Sequence, residues 1–213
     1  TTDDPDSLDA LSDAALLERL RHGDHPALGT LFDRYYPHIY RTAYGVMGDR
    51  QDAEDIAQNA FLRLYRYVWQ IDLARPLAPW LYRVTINLAC SELAQRRRKR
   101  LIAMDSITER ATAPRGESPE SIVARREQAA HIVGALRQLP EKQLTTVILF
   151  YLNDLRVEQI AEITRCPVDT VKTRLFHARK MLRATLAQLR ARDDYSDVKD
   201  DDWISHILRS AFG

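Results

Sequence analysis

The chain has 213 residues, 45% of them hydrophobic and 29% charged, with a net charge of +1, which fits a soluble globular protein of one or two domains. No stretch approaches the run of about eighteen apolar residues that a membrane span needs, and the acidic opening TTDDPDSLDALSD lacks the basic start and apolar run of a signal peptide. Cys90 and Cys166 lie far apart with no CxxC or CxxH spacing, which argues against a zinc site, offers no metal or cofactor motif and fits a reducing cytoplasm.

In chain order, Ser12 is a good N-cap for a helix running from Asp13 to about Arg21, ended at Gly23 and Asp24. Pro26 suits a first helical position, and ALGTLFDRYYPHIYRTAYGVM continues the helical period with a bend expected at Pro37. GDRQDAED is a turn followed by a cap, after which Ala53, Ile56, Ala57, Ala60, Phe61 and Leu64 form an inward stripe. Pro76 and Pro79 bracket a break between Trp69 and Trp80. From Trp80 to Arg100 the period returns, with Trp80, Leu81, Val84, Leu88 and Leu93 as its apolar positions.

Composition then shifts. The segment AMDSITERATAPRGESPES is rich in proline and hydroxyl residues and poor in apolar ones, which reads as a flexible linker. Connections of this length are uncommon inside a compact domain, so this one separates two. Helical pattern resumes from Ile122 to about Leu139, from Pro140 to about Leu152, and in two shorter helices divided at Arg165–Pro167. The sequence predicts an all-α protein: an acidic tail (1–11), a helical domain (12–100), a linker (101–121), a second helical domain (122–192) and an acidic extension (193–213).

Charge is unevenly spread. Residues 96–100 read RRRKR, and residues 126–192 hold twelve basic residues against six acidic ones. The two ends are acidic: seven acids stand against Arg19 and Arg21 in residues 1–25, and six aspartates against Lys199 and Arg209 in residues 193–213. Basic blocks framed by acidic ends suit a polyanion partner, with flanks able to screen it or compete for it.

The segment VEQIAEIT (157–164) puts Val157, Ile160, Ala161 and Thr164 on one side, a tight RCP turn follows, and CPVDTVKTRLFHARKML (166–182) begins. In that second helix Val168, Val171, Leu175, Ala178 and Leu182 make an apolar stripe, while Asp169, Lys172, Thr173, Phe176, His177 and Lys180 lie outside it. Two short helices joined by about three residues are the helix-turn-helix pattern. Lys, Arg, Thr and His donate to phosphates or base edges, and an aromatic packs on a thymine methyl. Asp169 either caps the helix or accepts from a cytosine amino group. A helical hairpin with a solvated basic face is the plainer alternative for the whole segment.

With these pieces in order, the chain resembles the extracytoplasmic-function (ECF) sigma factors, the minimal class of bacterial sigma factor. CPVDTVKTRLFHARKML, DAEDIAQNAFLRLYR (52–66) and PWLYRVTINLACSELAQRRRK (79–99) carry the resemblance, supported by LLERLRHGDHPALGTLFDRYYPHIY (16–40). It implies a transcription factor rather than an enzyme, with sigma region 2 first and region 4 second, no cofactor, and core RNA polymerase and promoter DNA as partners. By motif position, Lys172, Thr173, Arg174, Phe176 and His177 would read the −35 element, with Arg179 and Lys180 nearer phosphate. Asp52, Asp55, Gln58, Asn59 and Leu62 would dock the β′ clamp helices, and region 4 would meet the β flap. For the −10 element the resemblance points to the loop Ile71–Leu77, with Asp72 and Arg75, and to Arg83, Asn87, Arg96, Arg97 and Arg98. An anti-sigma factor is a further expected partner. Arg156 departs from the family, standing where many members place a Ser or Thr cap.

Two rivals stay in view. A dimeric repressor could use the same helix-turn-helix without polymerase. A metal enzyme would need more than Asp52, Glu54 and Asp55, which lack supporting ligands and a phosphate loop. The tail WISHILRSAFG carries Trp203, Ile204, Ile207, Leu208 and Phe212 as an apolar stripe. A helix so short is marginal unless docked, so it is expected to pack on the protein itself or on a regulatory partner.

Overall fold

The computed structural model describes residues 8–103, 131–187 and 200–212. Residues 1–7 of the predicted N-terminal tail, 104–121 of the linker, 122–130 and 188–192 of the predicted second domain, and 193–199 and 213 of the acidic extension lie outside the described residues. All regular structure among the described residues is helical. The chain divides into two compact units, one built mainly of residues up to Ala89 and one mainly of residues from Cys90 onward.

The first unit opens with α1 (Asp13–Arg21), capped by Ser12, whose hydroxyl accepts from the Ala15 amide at 3.3 Å. Helix α2 (His25–Met47) has Pro26 in its first turn and runs unbroken through Pro37. It ends at Gly48, whose φ of 65° is the left-handed geometry that glycine adopts without steric cost. Asp49 then caps α3 (Arg50–Tyr67), accepting from the Asp52 amide at 3.0 Å. The buried residues of α3 are Ala53, Ile56, Ala57, Ala60, Phe61 and Leu64, the expected stripe. Three alanines in that stripe let α2 and α3 lie close together along their length. Phe32 packs on Phe61 at 4.8 Å and begins a ladder of rings, Phe32, Tyr36, Tyr40 and Tyr44, each stacked on the next at 4.6–5.9 Å. The ladder follows from i, i+4 spacing on one face of α2.

Helix α4 (Leu77–Ala103) starts at the break between the two prolines, with Pro79 inside its first turn. Its buried stripe is displaced from the expected one. Leu77, Leu81, Tyr82, Thr85, Ile86, Ala89 and Cys90 are buried, whereas Trp80, Val84, Leu88 and Leu93 are half-buried. Thr85 made the difference. Its hydroxyl donates to the Leu81 carbonyl at 2.9 Å, so a residue counted as polar satisfies itself within the helix and goes inside. Burial of Tyr82 pushes its hydroxyl pKa up to about 12, with the nearby Arg41 charge acting against it.

In the second unit, residues 131–137 form the described part of α5. Helix α6 (Glu141–Val147) follows Pro140 and continues into one turn of π-helix, Ile148–Leu152. From Leu144 to Leu152 every residue is buried except Phe150, which is half-buried. Helices α7 (Val157–Thr164) and α8 (Val168–Thr185) follow. In α7 Ile160 and Ile163 are the buried residues, and Val157, Ala161 and Thr164 are only half-buried, because a helix of 8 residues turns a single narrow edge inward.

The last helix, α9 (Asp200–Phe212), packs on Ile148–Leu152 and on α8. Trp203, Ile204, Ile207, Leu208 and Phe212 are all buried, so the expected stripe faces inward. Each such side chain contributes roughly 1.5–3 kcal/mol, opposed by the entropy of ordering the segment. Arg209 adds an exposed ion pair to Asp154.

Candidate nucleic-acid interface

Helix α8 owes its exposed face to a narrow seam. Val171, Leu175, Ala178 and Leu182 are buried at three- and four-residue spacing and fix one side of the helix. Opposite them Lys172, Thr173, Phe176, His177 and Lys180 are exposed, Phe176 by 63%. A benzyl group so open to water has no packing role in the described residues. Its ring meets the His177 ring edge-on at 5.4 Å, giving an aromatic pair between two lysines. Val168, expected in the seam, is half-buried at the helix start.

Asp169 does not cap α8. Pro167 holds the N-cap position and no side chain bonds there. Asp169 lies in the first turn, where the helix dipole favours a carboxylate, 3.7 Å from the Lys172 ammonium. Thr173 donates to the Asp169 carbonyl at 2.8 Å. The missing Ser or Thr cap at Arg156 is replaced from within α7: the Gln159 side-chain oxygen accepts from the Arg156 amide at 2.9 Å, half of a capping box. The turn between the helices places Arg165 at a φ of 51°.

Two predicted residues sit apart from the exposed face. Arg174 is half-buried at its flank. The Arg179 guanidinium donates to the Tyr151 hydroxyl at 2.8 Å and lies 5.6 Å from the Phe150 ring centre, which ties α8 to the π turn. A hollow of about 290 Å³ beside the helix start is lined by Gln143, Asp169, Thr170, Thr173, Arg174 and His177. Gln143 was not foreseen. It comes from α6, and only the folded unit brings it to the flank of α8.

In the first unit, Asp72 and Arg75 lie in the loop before α4 and engage each other. The Asp72 carboxylate accepts from the Ala74 amide at 3.0 Å and stands 3.3 Å from the Arg75 guanidinium. The loop is held at its start by Arg21 of α1, which donates to the Val68 carbonyl at 3.2 Å and the Ile71 carbonyl at 2.6 Å. On α4 Asn87 and Arg98 are exposed, Arg83 is half-buried, and Arg96 pairs with Glu92 at 2.9 Å. The side chain of Arg97 lies outside the described residues.

Along α3, Asp55, Gln58, Asn59 and Leu62 share one exposed edge and Asp52 is half-buried beside it. The edge continues one step further than expected: exposed Tyr65 follows Leu62 on it. Trp69, in the short 3-10 turn Val68–Gln70 after α3, is exposed and carries the Arg21 guanidinium 5.5 Å from its ring centre. The signal for Tyr65 was in the sequence, since 55, 58, 59, 62 and 65 continue a single helical period. Among the described residues no three His, Cys, Asp or Glu side chains are grouped to hold a metal, and no helix is long and apolar enough to cross a membrane.

An all-helical chain with a helix-turn-helix in one unit and an acidic, amide-lined helix in the other defines a class of DNA-binding transcription factor. Comparison with known proteins narrows it. The family description Sigma-70 region 2 matches residues 31–99, and Sigma-70, region 4 matches residues 131–182. The chain is 32% identical over 179 residues to the ECF RNA polymerase sigma factor SigW of Bacillus subtilis, covering 81% of this chain and 96% of that one. It is 34% identical over 184 residues to the RNA polymerase sigma-H factor of Pseudomonas aeruginosa, covering 83% and 95%. Among solved structures it is similar to CnrH in complex with the cytosolic domain of CnrY, with a TM-score of 0.62 at 21% identity, covering 83% and 97%. It is also similar to the sigma factor RpoE in complex with the anti-sigma factor NepR from Bartonella quintana, with a TM-score of 0.59 at 21% identity, covering 75% and 96%. The chain belongs to the ECF sigma factors of the sigma-70 family, which are initiation factors and not enzymes.

Proposed function

We propose that this sigma factor acts in the cytoplasm, binding core RNA polymerase, directing it to promoters through their −35 and −10 elements and promoting duplex opening. Residues 12–100 serve as region 2, 101–121 as a tether and 122–192 as region 4. The observation that carries the reading is the exposed face of α8, where Lys172, Thr173, Phe176, His177 and Lys180 project from a helix fixed by a buried seam. Such a face suits the major groove, the lysines on phosphate and the aromatic pair on base edges or a thymine methyl. Arg174 lies at the rim of this contact. Arg179, bonded to Tyr151, sets the angle of the helix and reaches phosphate only from its edge.

In region 2, Asp52, Asp55, Gln58, Asn59 and Leu62 dock the β′ clamp helices, and the β flap meets region 4. Opening exposes bases that cost a few kcal/mol each to unstack. The loop with Asp72 and Arg75, together with Asn87, receives an extruded base, and Arg83, Arg96, Arg97 and Arg98 hold the strand's phosphates. Control by an anti-sigma factor, or by the C-terminal extension, is part of this reading; the similar structure solved with the anti-sigma factor NepR supports the first.

The test is promoter-dependent transcription in vitro with core polymerase and a promoter library. The holoenzyme is expected to initiate at a defined subset, Lys172→Ala with Lys180→Ala to weaken initiation across that subset, and Phe176→Ala with His177→Ala to abolish its selectivity, all leaving core binding intact. Transcription no better than core alone would overturn the proposal. Tight duplex binding by the free chain as a dimer would favour a repressor.

A further inference from the structure

Region 4 as matched ends at residue 182, yet the second unit does not. The curated relatives are matched over 95–96% of their own length by 81–83% of this chain, so this chain carries residues for which they have no counterpart. Helix α9 lies outside both family regions. It nevertheless buries five apolar side chains, at 203, 204, 207, 208 and 212, on the run Ile148–Leu152 and on α8.

The run beneath it is unusual for a small domain. A helix at the surface of a compact unit turns one stripe inward and leaves the rest to solvent. Between Leu144 and Leu152 no residue is fully exposed, and α9 supplies cover for the π-turn end of that run. Without α9, Ile148–Leu152 and the adjoining side of α8 would present a contiguous apolar strip, the kind of surface that marks a protein-binding site. At the rim of this contact Arg209 pairs with Asp154, and both are solvent-exposed, so this pair orients the helix more than it holds it. Asp193, Asp194 and Asp197 precede α9, and Asp200, Asp201 and Asp202 open it. A basic partner surface would compete for that charge with the basic residues of the unit itself.

We propose that this strip of region 4 is a helix-docking site, occupied in cis by α9 and taken over by an amphipathic helix of a partner protein. The geometry of α9 specifies the partner's chemistry. Its helix carries large apolar residues at positions i, i+1, i+4, i+5 and i+9, the first and last of them aromatic, and an arginine at i+6 to meet Asp154. A chain with α9 seated withholds the site, and one with α9 released offers it, so affinity for the partner is reduced by the fraction of chains in the closed form. The inference rests on residues 131–182 acting as region 4, but the exchange itself needs no polymerase.

The test uses the full chain and a labelled synthetic peptide of residues 200–213. The wild-type chain is expected to bind the peptide at least tenfold more weakly than a chain in which Ile207→Asp and Leu208→Asp unseat α9. A peptide with Arg209→Glu should bind the unseated chain several-fold more weakly. Hydrogen exchange on the unaltered chain provides a second measure: α9 amides should exchange at least tenfold faster than those of α6 and α8, reporting release without global unfolding. Equal peptide binding by the two chains, or no binding by a folded unseated chain, overturns the proposal. Loss of the whole second unit in the double variant, or α9 protection equal to that of α6, makes α9 an integral part of the core and overturns it too. An inactive holoenzyme alongside successful peptide exchange would sink the promoter reading and leave the docking site standing.

Discussion

Helices α3 and α8 are each 18 residues long, yet α3 buries six side chains and α8 four. In α3 the alanines at 53, 57 and 60 draw α2 against it and broaden the buried side, leaving an exposed edge with acids, amides and then Leu62 and Tyr65. In α8 the four buried residues are flanked by half-buried Val168, Thr170, Arg174 and Arg179, and the exposed side carries lysines around an aromatic pair. The two helices leave similar amounts of surface free and differ in the chemistry that stands on it. An edge of acids and amides suits a protein partner that packs along it; lysines around an aromatic pair suit a groove. In the proposed reading, partner choice is set by that chemistry and not by the width of the seam.

Breaking the buried side of either helix gives the largest effect. Phe61→Ala, which removes the ring packed on Phe32, is expected to destabilise the first unit by about 3–5 kcal/mol, and Leu175→Ala the second by about 2–5 kcal/mol. Denaturant titration followed by circular dichroism reads both. Exposed positions should separate function from stability. Leu62→Asp, at a site 60% exposed, should leave stability within about 0.5 kcal/mol while weakening core polymerase binding by tenfold or more. Lys172→Ala should lower promoter affinity of the holoenzyme and reduce the slope of log affinity against log salt by about one; an unchanged slope would remove Lys172 from the phosphate contacts. Loss of the α3 cap is smaller: Asp49→Ala should cost about 1 kcal/mol, seen as a lower melting temperature with core binding kept.

The smallest effect appears only at high pH. Tyr82 has its hydroxyl pKa raised by burial from 10.0 to about 12. A folded value above the unfolded one means that the contribution is complete below about pH 10 and is lost as pH rises toward 12. Tyr82→Phe should therefore leave stability at neutral pH nearly unchanged and flatten its decline above pH 10, measured by melting across that range.

Legibility in the sequence followed the same division. The α3 stripe could be read residue by residue because alanine, isoleucine, phenylalanine and leucine repeat without interruption, and Ser12 announced its helix as caps do. The α4 stripe was displaced because Thr85 hides its hydroxyl inside its own helix, a bond that composition does not show. The exposed α8 face at 172, 173, 176, 177 and 180 followed from periodicity. The hold of Tyr151 on Arg179 did not, since it depends on two helices meeting 28 residues apart. Gln143 and Arg21 escaped for the same reason: each acts on a partner distant in sequence. Tyr65 could have been found, had the edge of α3 been followed past Leu62.

A turn that closes from i to i+5 takes up more chain than an α turn, so side chains beyond it are offset by up to ~100°, one residue step, from where an unbroken helix would aim them. The π turn at Ile148–Leu152, which ends its helix, therefore works as a phase shifter at the tip of the rod, letting the residues before it and those within it address different neighbours. Phe150 and Tyr151, which grip Arg179, belong to the shifted part. Deleting a single residue there would restore uniform winding and swing that grip aside, re-aiming α8 although no residue of that helix had been altered.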